Sequence, residues 1–349
     1  MKKKKGGRAV ALKNEINRLL GTDVGLGSEE RFEISRIPTG SLTLDRITGG
    51  GFALGRHVEL FGDENVGKSY IAYRTMALAQ SRGKVCALVD PEHSFDPRWY
   101  EHLGGRPSEL LTFQPDTGDD AIAAMLTLAS VAEENEIEVI AIDSIPSLVP
   151  REETEVDPRR EPRIAGQARM MSRALRRITS ANQNVLFIWV NQERTNVGIK
   201  FGNPRTTSGG KALRYYATTR IEFRRGGKIA DKRRVIRSGK PVDAEIQVGR
   251  WIQVRCEKDK STRPYREGSF IFDVERGRIS EESEIIQLGL LDGLIEHKGN
   301  LFYYTDLDNY EYKGTFKQFS KLLANNDDLR RELSVVIQDS TGEEQETSG

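Results

Sequence analysis

The sequence predicts an α/β protein built on a mainly parallel, doubly wound sheet. Three observations carry that expectation. Short apolar runs recur: "HVELF", "KVCALVD", "VIAIDS" and "VLFIWVNQ". The last three are rich in valine and isoleucine and apolar on both faces, as strands buried in a parallel sheet are. Helix-like stretches lie between the runs: "SYIAYRTMALAQSRG", "GDDAIAAMLTLASVAEEN" and "ARMMSRALRRITSANQ". Strands alternating with helices give parallel crossovers. Finally, "HVELF" leads directly into a glycine loop, "GDENVGKSY", which opens the first of those helices.

Taken in order, the chain opens on the wholly basic "MKKKKGGR". An amphipathic helix, "ALKNEINRLLG", follows, and "RIPTGSLTLDRITGGG" reads as a turn-rich lead-in to the sheet. Beyond the sheet, from about Gly268, "SEIIQLGLLDGLIEHKGNLFYY" and "TFKQFSKLLANNDDLRRELSVVI" predict a small α/β appendage. The chain ends on the acidic "GEEQETSG". Both ends have the composition of solvated segments. No internal repeat is present.

At 349 residues the chain has room for one large domain with smaller pieces attached. Its 53 basic and 52 acidic residues leave a net charge of +1, so attraction to a charged partner must come from local patches. One basic stretch runs from Arg224 to Lys240, "RRGGKIADKRRVIRSGK", with Asp231 its only acid. No stretch reaches the ~18 apolar residues of a membrane span. No apolar region of a signal peptide follows the lysine-rich start. Cys86 and Cys256 stand apart in apolar contexts and read as buried thiols of a reducing, cytoplasmic protein. The four histidines form no zinc pattern.

The glycine loop carries the chemistry. Gly62, Gly67, Lys68 and Ser69 match G-x-x-x-x-G-K-[ST] between a strand and a helix. Glycines let consecutive N–H groups curl inward, and the helix start adds partial positive charge. Lys68 is placed to reach the β and γ phosphates of a nucleoside triphosphate, and Ser69 to ligate Mg²⁺. Asp143, ending an apolar strand, is the second group expected to hold Mg²⁺, through water. Each apolar run stops at a polar group: Asp90 then Glu92, Asp143 and Ser144, Asn191 and Gln192. In an open α/β sheet, ligands sit at these carboxyl ends. Glu92 is placed to orient and deprotonate an attacking water. Gln192 is placed to sense the γ-phosphate.

The motifs "TGSLTLDRITGGG", "GDENVGKS", "VDPEHSFDP", "QPDTGDDA", "AIDSIPSLVP", "ARMMSRALRRI", "VNQERTNVGIKFGNPRTTSGGKALRYYATTR" and "CEKDKSTRP" follow one another as in bacterial RecA recombinases. The resemblance covers almost the whole chain. It implies a RecA-type core at 31–267, preceded at 1–30 by a basic segment and an oligomerisation helix. A small C-terminal domain at 268–338 and an acidic tail at 339–349 complete the expected organisation.

It also implies roles. Glu92 matches the family's catalytic glutamate, and Gln192 its nucleotide sensor. The loop residues Gly62, Asp63, Glu64, Asn65, Val66, Gly67, Lys68, Ser69 and Tyr70 would surround ATP, with Asp96 and Trp99 at the adenine. Lys258 and Lys260 match lysines that reach a neighbouring subunit's nucleotide, the task of an arginine finger. Two segments resemble DNA-binding loops, from about Arg151 to Ile164 and from Glu193 to Gly210. Arg169, Ser172, Arg176, Gly209 and Gly210 match backbone contacts. Ile164 and Val197 match residues that wedge between bases, and Arg194, Lys200, Phe201 and Asn203 belong to the second loop.

The implied function is an ATP- and Mg²⁺-dependent recombinase. It would form head-to-tail helical filaments on single-stranded DNA and pair it with homologous duplex, with no membrane partner. Arg214, Tyr215 and Arg220 match positions that couple the second loop to the subunit interface. The alternative is a filament scaffold or regulator that binds ATP and DNA without exchanging strands. A hexameric helicase on the same core is disfavoured by the N-terminal helix and by "FGNPRTTSGG". The chain departs from the family at Asp63, Asn65 and Val66, in the longer first loop "REETEVDPRREPR", and in "KIADKRRVIRSGKPVDAE".

Overall fold

The computed structural model describes residues 5–154, 166–182, 184–195, 205–237, 240–264 and 266–346. Residues 1–35 form one compact unit and residues 36–349 a second. In the first, helix α1 (Lys5–Leu20) is followed by a turn. Lys13 pairs with Glu29 at 2.5 Å. Asn17 grips Val24 twice, donating to its carbonyl at 3.1 Å and accepting from its N–H at 2.6 Å. Leu12, Leu19 and Leu20 are exposed.

The second unit is organised by a nine-stranded sheet. In chain order its strands are β1 (His57–Gly62), β2 (Val85–Val89), β3 (Leu110–Phe113), β4 (Ile137–Ile142), β5 (Leu186–Val190), β6 (Thr219–Arg237), β7 (Lys240–Asp259), β8 (Glu267–Asp273) and β9 (Arg278–Ile279). They lie side by side as β9-β8-β7-β6-β1-β5-β4-β2-β3. From β6 through β3 all neighbours are parallel, and β7, β8 and β9 add an antiparallel flank. The fold is therefore α/β with the mostly parallel sheet that the apolar runs predict.

Strand side chains alternate between two faces. Val58, Leu60, Leu88, Val139, Ile188 and Val190 pack on one side, with α3 (Lys68–Ser81). Ala87, Val89, Ile140, Ile142, Phe187 and Trp189 pack on the other, with α5 (Gly118–Ser130) and α6 (Gly166–Ala181). Both faces are covered, which explains the absence of a polar register in these strands. A short α4 (Pro97–His102) follows β2, and α7 (Ala212–Tyr216) precedes β6.

Two segments differ from the expected reading. The lead-in "TGSLTLDRITGGG" contains a helix, α2 (Leu42–Thr48), capped by Ser41, which accepts from the Leu44 N–H at 3.2 Å. It is two turns long and bounded by Gly49 at φ 72°, so its glycines outweigh its periodicity in the sequence. The stretch after Arg224 is the second case. Only Thr219–Phe223 of β6 pairs with β1. Beyond it, the 19-residue β6 and 20-residue β7 run on as a long hairpin. Its outgoing strand is basic, but acids stand across from it: Lys232 faces Glu245 and Arg234 faces Asp243. Arg233 donates twice to Glu275, at 2.5 and 2.9 Å. Opposite charges across a ladder are the stabilising arrangement, so the run is largely compensated rather than a bare cationic patch.

A third apolar cluster, including Ile285, Phe302, Phe319, Leu333 and Ile337, lies among α8 (Glu281–Leu291), α9 (Phe316–Asn325), α10 (Asp327–Glu346) and a three-stranded antiparallel sheet. Gly268 falls within β8, which pairs with β7 in the main sheet. No helix among the described residues is long and apolar enough to cross a membrane.

Candidate functional site

The phosphate-type loop leaves β1 at Gly62 and enters α3 at Lys68. Its path requires glycine at the first position. Gly62 has φ 130°, and a Cβ there would lie 2.0 Å from the Phe223 carbonyl oxygen of β6. Gly67, at φ 87°, caps α3. Asn65 also adopts a left-handed conformation, at φ 55°, which asparagine tolerates better than most residues. Val66 and Tyr70 are buried, and Tyr70 packs edge-on against Phe272. Asp63 and Glu64 face the root of the hairpin: Arg225 donates its backbone N–H to Asp63 Oδ2 at 2.9 Å and its guanidinium to the Glu64 carbonyl at 2.7 Å.

Lys68 is almost fully buried. Its ammonium donates to the carbonyls of Gly62, at 3.2 Å, and Asp63. Burial pulls its pKa below the ordinary lysine value, opposed by Asp143, Asp63 and Glu64. One turn into the loop's charge field, Asp143 ends β4. Burial pushes its carboxyl up to about 6, with Glu92 and Asp90 adding to the rise; the nearby hydroxyls of Ser69 and Tyr73 oppose it. Among the described residues no three His, Cys, Asp or Glu side chains gather as a cation cage. A hydroxyl and one carboxylate are instead a donor set suited to Mg²⁺, which keeps waters and takes its other ligands from substrate phosphates.

Glu92 sits in the turn after β2 and accepts hydrogen bonds from the hydroxyls of Ser144, just past Asp143, and Ser147, the latter at 3.2 Å. Asp90 shapes that turn: it is fully buried and accepts from the backbone N–H groups of Ser94 at 3.2 Å and Phe95 at 3.0 Å. Asp96 caps α4, accepting from the Arg98 N–H at 2.8 Å. Trp99 is half-buried, stacked on His102 at 5.2 Å.

At the end of β5, fully buried Asn191 accepts from the Gln192 N–H at 2.9 Å and donates to Glu59 at 2.8 Å and to the Ser208 carbonyl at 3.1 Å. The two arms of the second loop then pair, Glu193–Thr195 against Arg205–Thr207. Arg194 lies in the first arm. Ile164, Val197, Lys200, Phe201 and Asn203 lie outside the described residues. Gly209 and Gly210, at φ 81° and 77°, return the chain past α6. A Cβ at Gly210 would meet Ala168 at 2.7 Å. Gln167 ties these parts together: it accepts from the Gly209 N–H at 3.2 Å and donates to the Ile145 and Leu148 carbonyls at 2.9 and 3.1 Å. On α6, Arg169, Ser172 and Arg176 recur at three- and four-residue spacing on the exposed face, while Met171, Leu175 and Ile178 are buried.

Residues 9–277 match the family described as the RecA N-terminal domain. The chain is also similar to "Protein RecA" of Rhizobium rhizogenes, 36% identical over 329 residues, covering 92% of this chain and 85% of the relative. It is similar to "Protein RecA" of Rickettsia bellii, 36% identical over 325 residues, covering 92% and 89%. The chain belongs to the RecA family.

Membership carries the family's association with DNA recombination and repair and with ATP and DNA as ligands. In this RecA-family chain, Lys258 and Lys260 lie toward the opposite end of the sheet from the loop. Lys258 is across from Arg220, which pairs with Glu59 near the start of β1, whereas the loop leaves its end. The Lys258 ammonium donates to the carbonyls of Arg214, at 2.7 Å, and Tyr215, at 3.1 Å, at the end of α7. Burial, helped by Lys260 and Arg220, lowers its pKa to about 8. Lys260 is exposed, as is Tyr215.

Sequence reasoning missed the link between these two ends. Arg220 and Glu59 form a buried ion pair at 2.5 Å, and the same Glu59 carboxylate accepts from Asn191. A glutamate inside "HVELF" was the available signal, since a charge within a buried strand demands a partner. Gln167, Ser147 and Tyr73 were missed as well. Cys86 and Cys256 are buried free thiols, both pushed up to about 12 by burial.

Proposed function

We propose that this protein is an ATP-dependent DNA recombinase that assembles head to tail on single-stranded DNA and drives homologous pairing and strand exchange. The observation that carries this is the division of charge between the two ends of the parallel sheet. Lys68 and Glu92 lie beyond the carboxyl ends of the parallel strands β1 and β2, whereas Lys258, on β7, and Lys260, just past it, lie toward the opposite end of the sheet, level with the first half of β1. A second subunit is needed to bring both sets to one phosphate.

In this mechanism, Lys68 and the N–H groups of Gly62–Ser69 hold the phosphates, and Asp96 and Trp99 border the adenine. Ser69 and, through water, Asp143 would hold Mg²⁺, which would supply charge neutralisation at the phosphates. Glu92 turns from Ser144 and Ser147 to an attacking water and takes its proton. Gln192 senses the γ-phosphate, and the Asn191–Glu59–Arg220 chain gives it a buried route toward the lysine end. Lys258 and Lys260 of the adjoining copy compensate charge as the terminal phosphoryl group departs. The exposed leucines of α1 suit docking on that copy. Arg169, Ser172, Arg176, Gly209 and Gly210 contact the DNA backbone, with Ile164 and Val197 between bases. ATP and DNA favour the same assembly, so each tightens the other's binding.

The decisive experiment is a pairing assay with single-stranded DNA and homologous duplex. Joint molecules should form with ATP and Mg²⁺ and not with heterologous duplex; DNA-stimulated hydrolysis without joint molecules would favour the scaffold instead. The Glu92→Gln variant should still bind DNA and ATP but hydrolyse about 10²-fold or more slowly, as loss of a general base does. Normal hydrolysis in that variant would place the water-activating role elsewhere.

Affinity for single-stranded DNA should fall linearly with salt on logarithmic axes, with a slope of about −0.7 per phosphate neutralised. Arg169→Ala or Arg176→Ala should weaken binding to all sequences alike and make the slope shallower. A loss confined to particular sequences would point to base reading.

A further inference from the structure

Lys258 and Lys260 are separated by Asp259, a charge that sits badly between two cations meant for one phosphate. The backbone shows how it is kept apart from them. One step along β6, from Arg220 to Ile221, spans two on β7, from Lys258 to Cys256, so Glu257 is an extra residue in a β-bulge. A bulge shifts the alternation of faces by one and re-aims the side chains beyond it. Cys256 and Asp259 are accordingly both buried, although they do not share the parity of a regular strand, whereas Lys260 is exposed and Lys258 half-buried. Turned inward, Asp259 collects uncharged donors. Its Oδ2 accepts from the Thr219 hydroxyl of β6 at 2.9 Å. Its Oδ1 accepts from the Ser261 N–H at 2.6 Å, the Ser261 hydroxyl at 2.8 Å and the Thr262 N–H at 2.9 Å. The Lys260 N–H donates to the Thr218 carbonyl at 3.1 Å. Arg36 closes the turn from the other side. It donates to the Ser261 carbonyl at 3.2 Å and hydroxyl at 3.1 Å, and to the carbonyls of Thr48 at 2.8 Å and Gly51 at 3.0 Å.

Resting on the shared site proposed above, we propose that Asp259 is a positioning residue that presents Lys258 and Lys260 as a preset pair of cations to the adjoining copy's phosphate. Two physical reasons support this. The first is saturation. A carboxylate offers about four acceptor sites, and the hydroxyl of Thr219, the N–H and hydroxyl of Ser261 and the N–H of Thr262 fill them. None is left to draw in either lysine, so both charges stay available to a phosphate. The second is order. A lysine is a point charge on a flexible stem, and its reach is reproducible only where its backbone is held. Asp259 holds the turn from within and Arg36 from without, and both grip Ser261, the residue next to Lys260. The bulge at Glu257 and the anchor at Asp259 thus act together: one turns the lysines off the buried face, the other keeps them there.

The test sets Asp259→Ala beside Asp259→Asn in the full chain and reads kcat and KM for ATP separately, with single-stranded DNA present. Asparagine keeps the Oδ1 acceptor, and its amide donates where Oδ2 accepted, to a hydroxyl able to accept. That variant should stay near wild type. Asp259→Ala keeps both lysines but frees the turn. Misplacing a participating group by about 1 Å costs about 10²-fold, so kcat should fall by about that factor. KM for ATP, set by the variant's own loop, should hold. Added to Lys258→Ala/Lys260→Ala, the alanine change should lower the rate no further, because the groups it positions are already gone. A further loss in that background overturns the proposal, since it marks a general folding role. An asparagine variant as impaired as the alanine one overturns it too, since charge rather than placement then matters. Wild-type turnover in Asp259→Ala, with the lysine double variant inactive, overturns the role of Asp259 and leaves the shared site standing. Wild-type turnover in the lysine double variant removes the shared site and the proposal with it. If Asp259→Ala does not fold, Ser261→Ala, which deletes the hydroxyl gripped by Asp259 and Arg36, repeats the comparison with a smaller expected loss.

Discussion

Lys68→Ala should lower ATP hydrolysis by about 10³-fold or more, the upper range for removing one preorganised charge from a site of developing negative charge. It should also abolish nucleotide-dependent assembly. The lysine is buried and held by two carbonyls of its own loop. Its removal therefore takes a charge out of a poorly solvated position and leaves two acceptors without their donor. These effects oppose one another, so the melting temperature without nucleotide should move little. The diagnostic quantity is the shift that ATP produces. A ligand at about 100 times its Kd stabilises the folded state by about 2.7 kcal/mol. Wild type should show that shift in calorimetry and Lys68→Ala should show none. Wild-type turnover in the variant would remove the loop from the chemistry.

The double variant Lys258→Ala/Lys260→Ala should still bind ATP, because its own loop is untouched, yet lose DNA-stimulated hydrolysis. A cation supplied in trans to a departing phosphoryl group contributes about 10³–10⁵-fold, so the loss should be of that order. Within one chain the geometry offers no substitute: Lys258 pairs with Arg220 of β6 and is occupied with the end of α7. Mixed with excess Glu92→Gln protein, the double variant should regain activity, since intact lysines on one copy then meet an intact glutamate on another. Co-assembly shown by cross-linking, with no recovery at any mixing ratio, would exclude a shared site.

The legible parts of this fold were those in which one physical demand dominates. β2, β4 and β5 had to be apolar on both faces because helices cover both, and no other element of that length reads so. The loop at Gly62 had to be glycine because β6 lies against it. The hairpin was illegible because part of its charge balance stands far along the chain on the returning strand, as Lys232 across from Glu245 shows. Ser69 and Tyr73 are on the same helix face, but the carboxylate they both influence, Asp143, comes from the end of a distant strand; spacing displays the face and not the visitor. Gln167 is similar, because its three partners come from the turns after β4 and α6's facing glycine loop. Such residues are defined by convergence of distant segments, and a local pattern carries no trace of it.

In the proposed assembly, the placement of Lys68 and Lys258 toward opposite ends of the sheet would also make each molecule a link with two unlike poles. A row of n such links closes n−1 reactive junctions and always leaves one terminal loop without lysines and one terminal lysine pair without a loop. Turnover per molecule then depends on length: half the full value in a pair, nine-tenths in a row of ten. Short rows are disproportionately idle, and the two tips of any row are chemically different, so growth and shedding proceed at unequal rates at the two extremities.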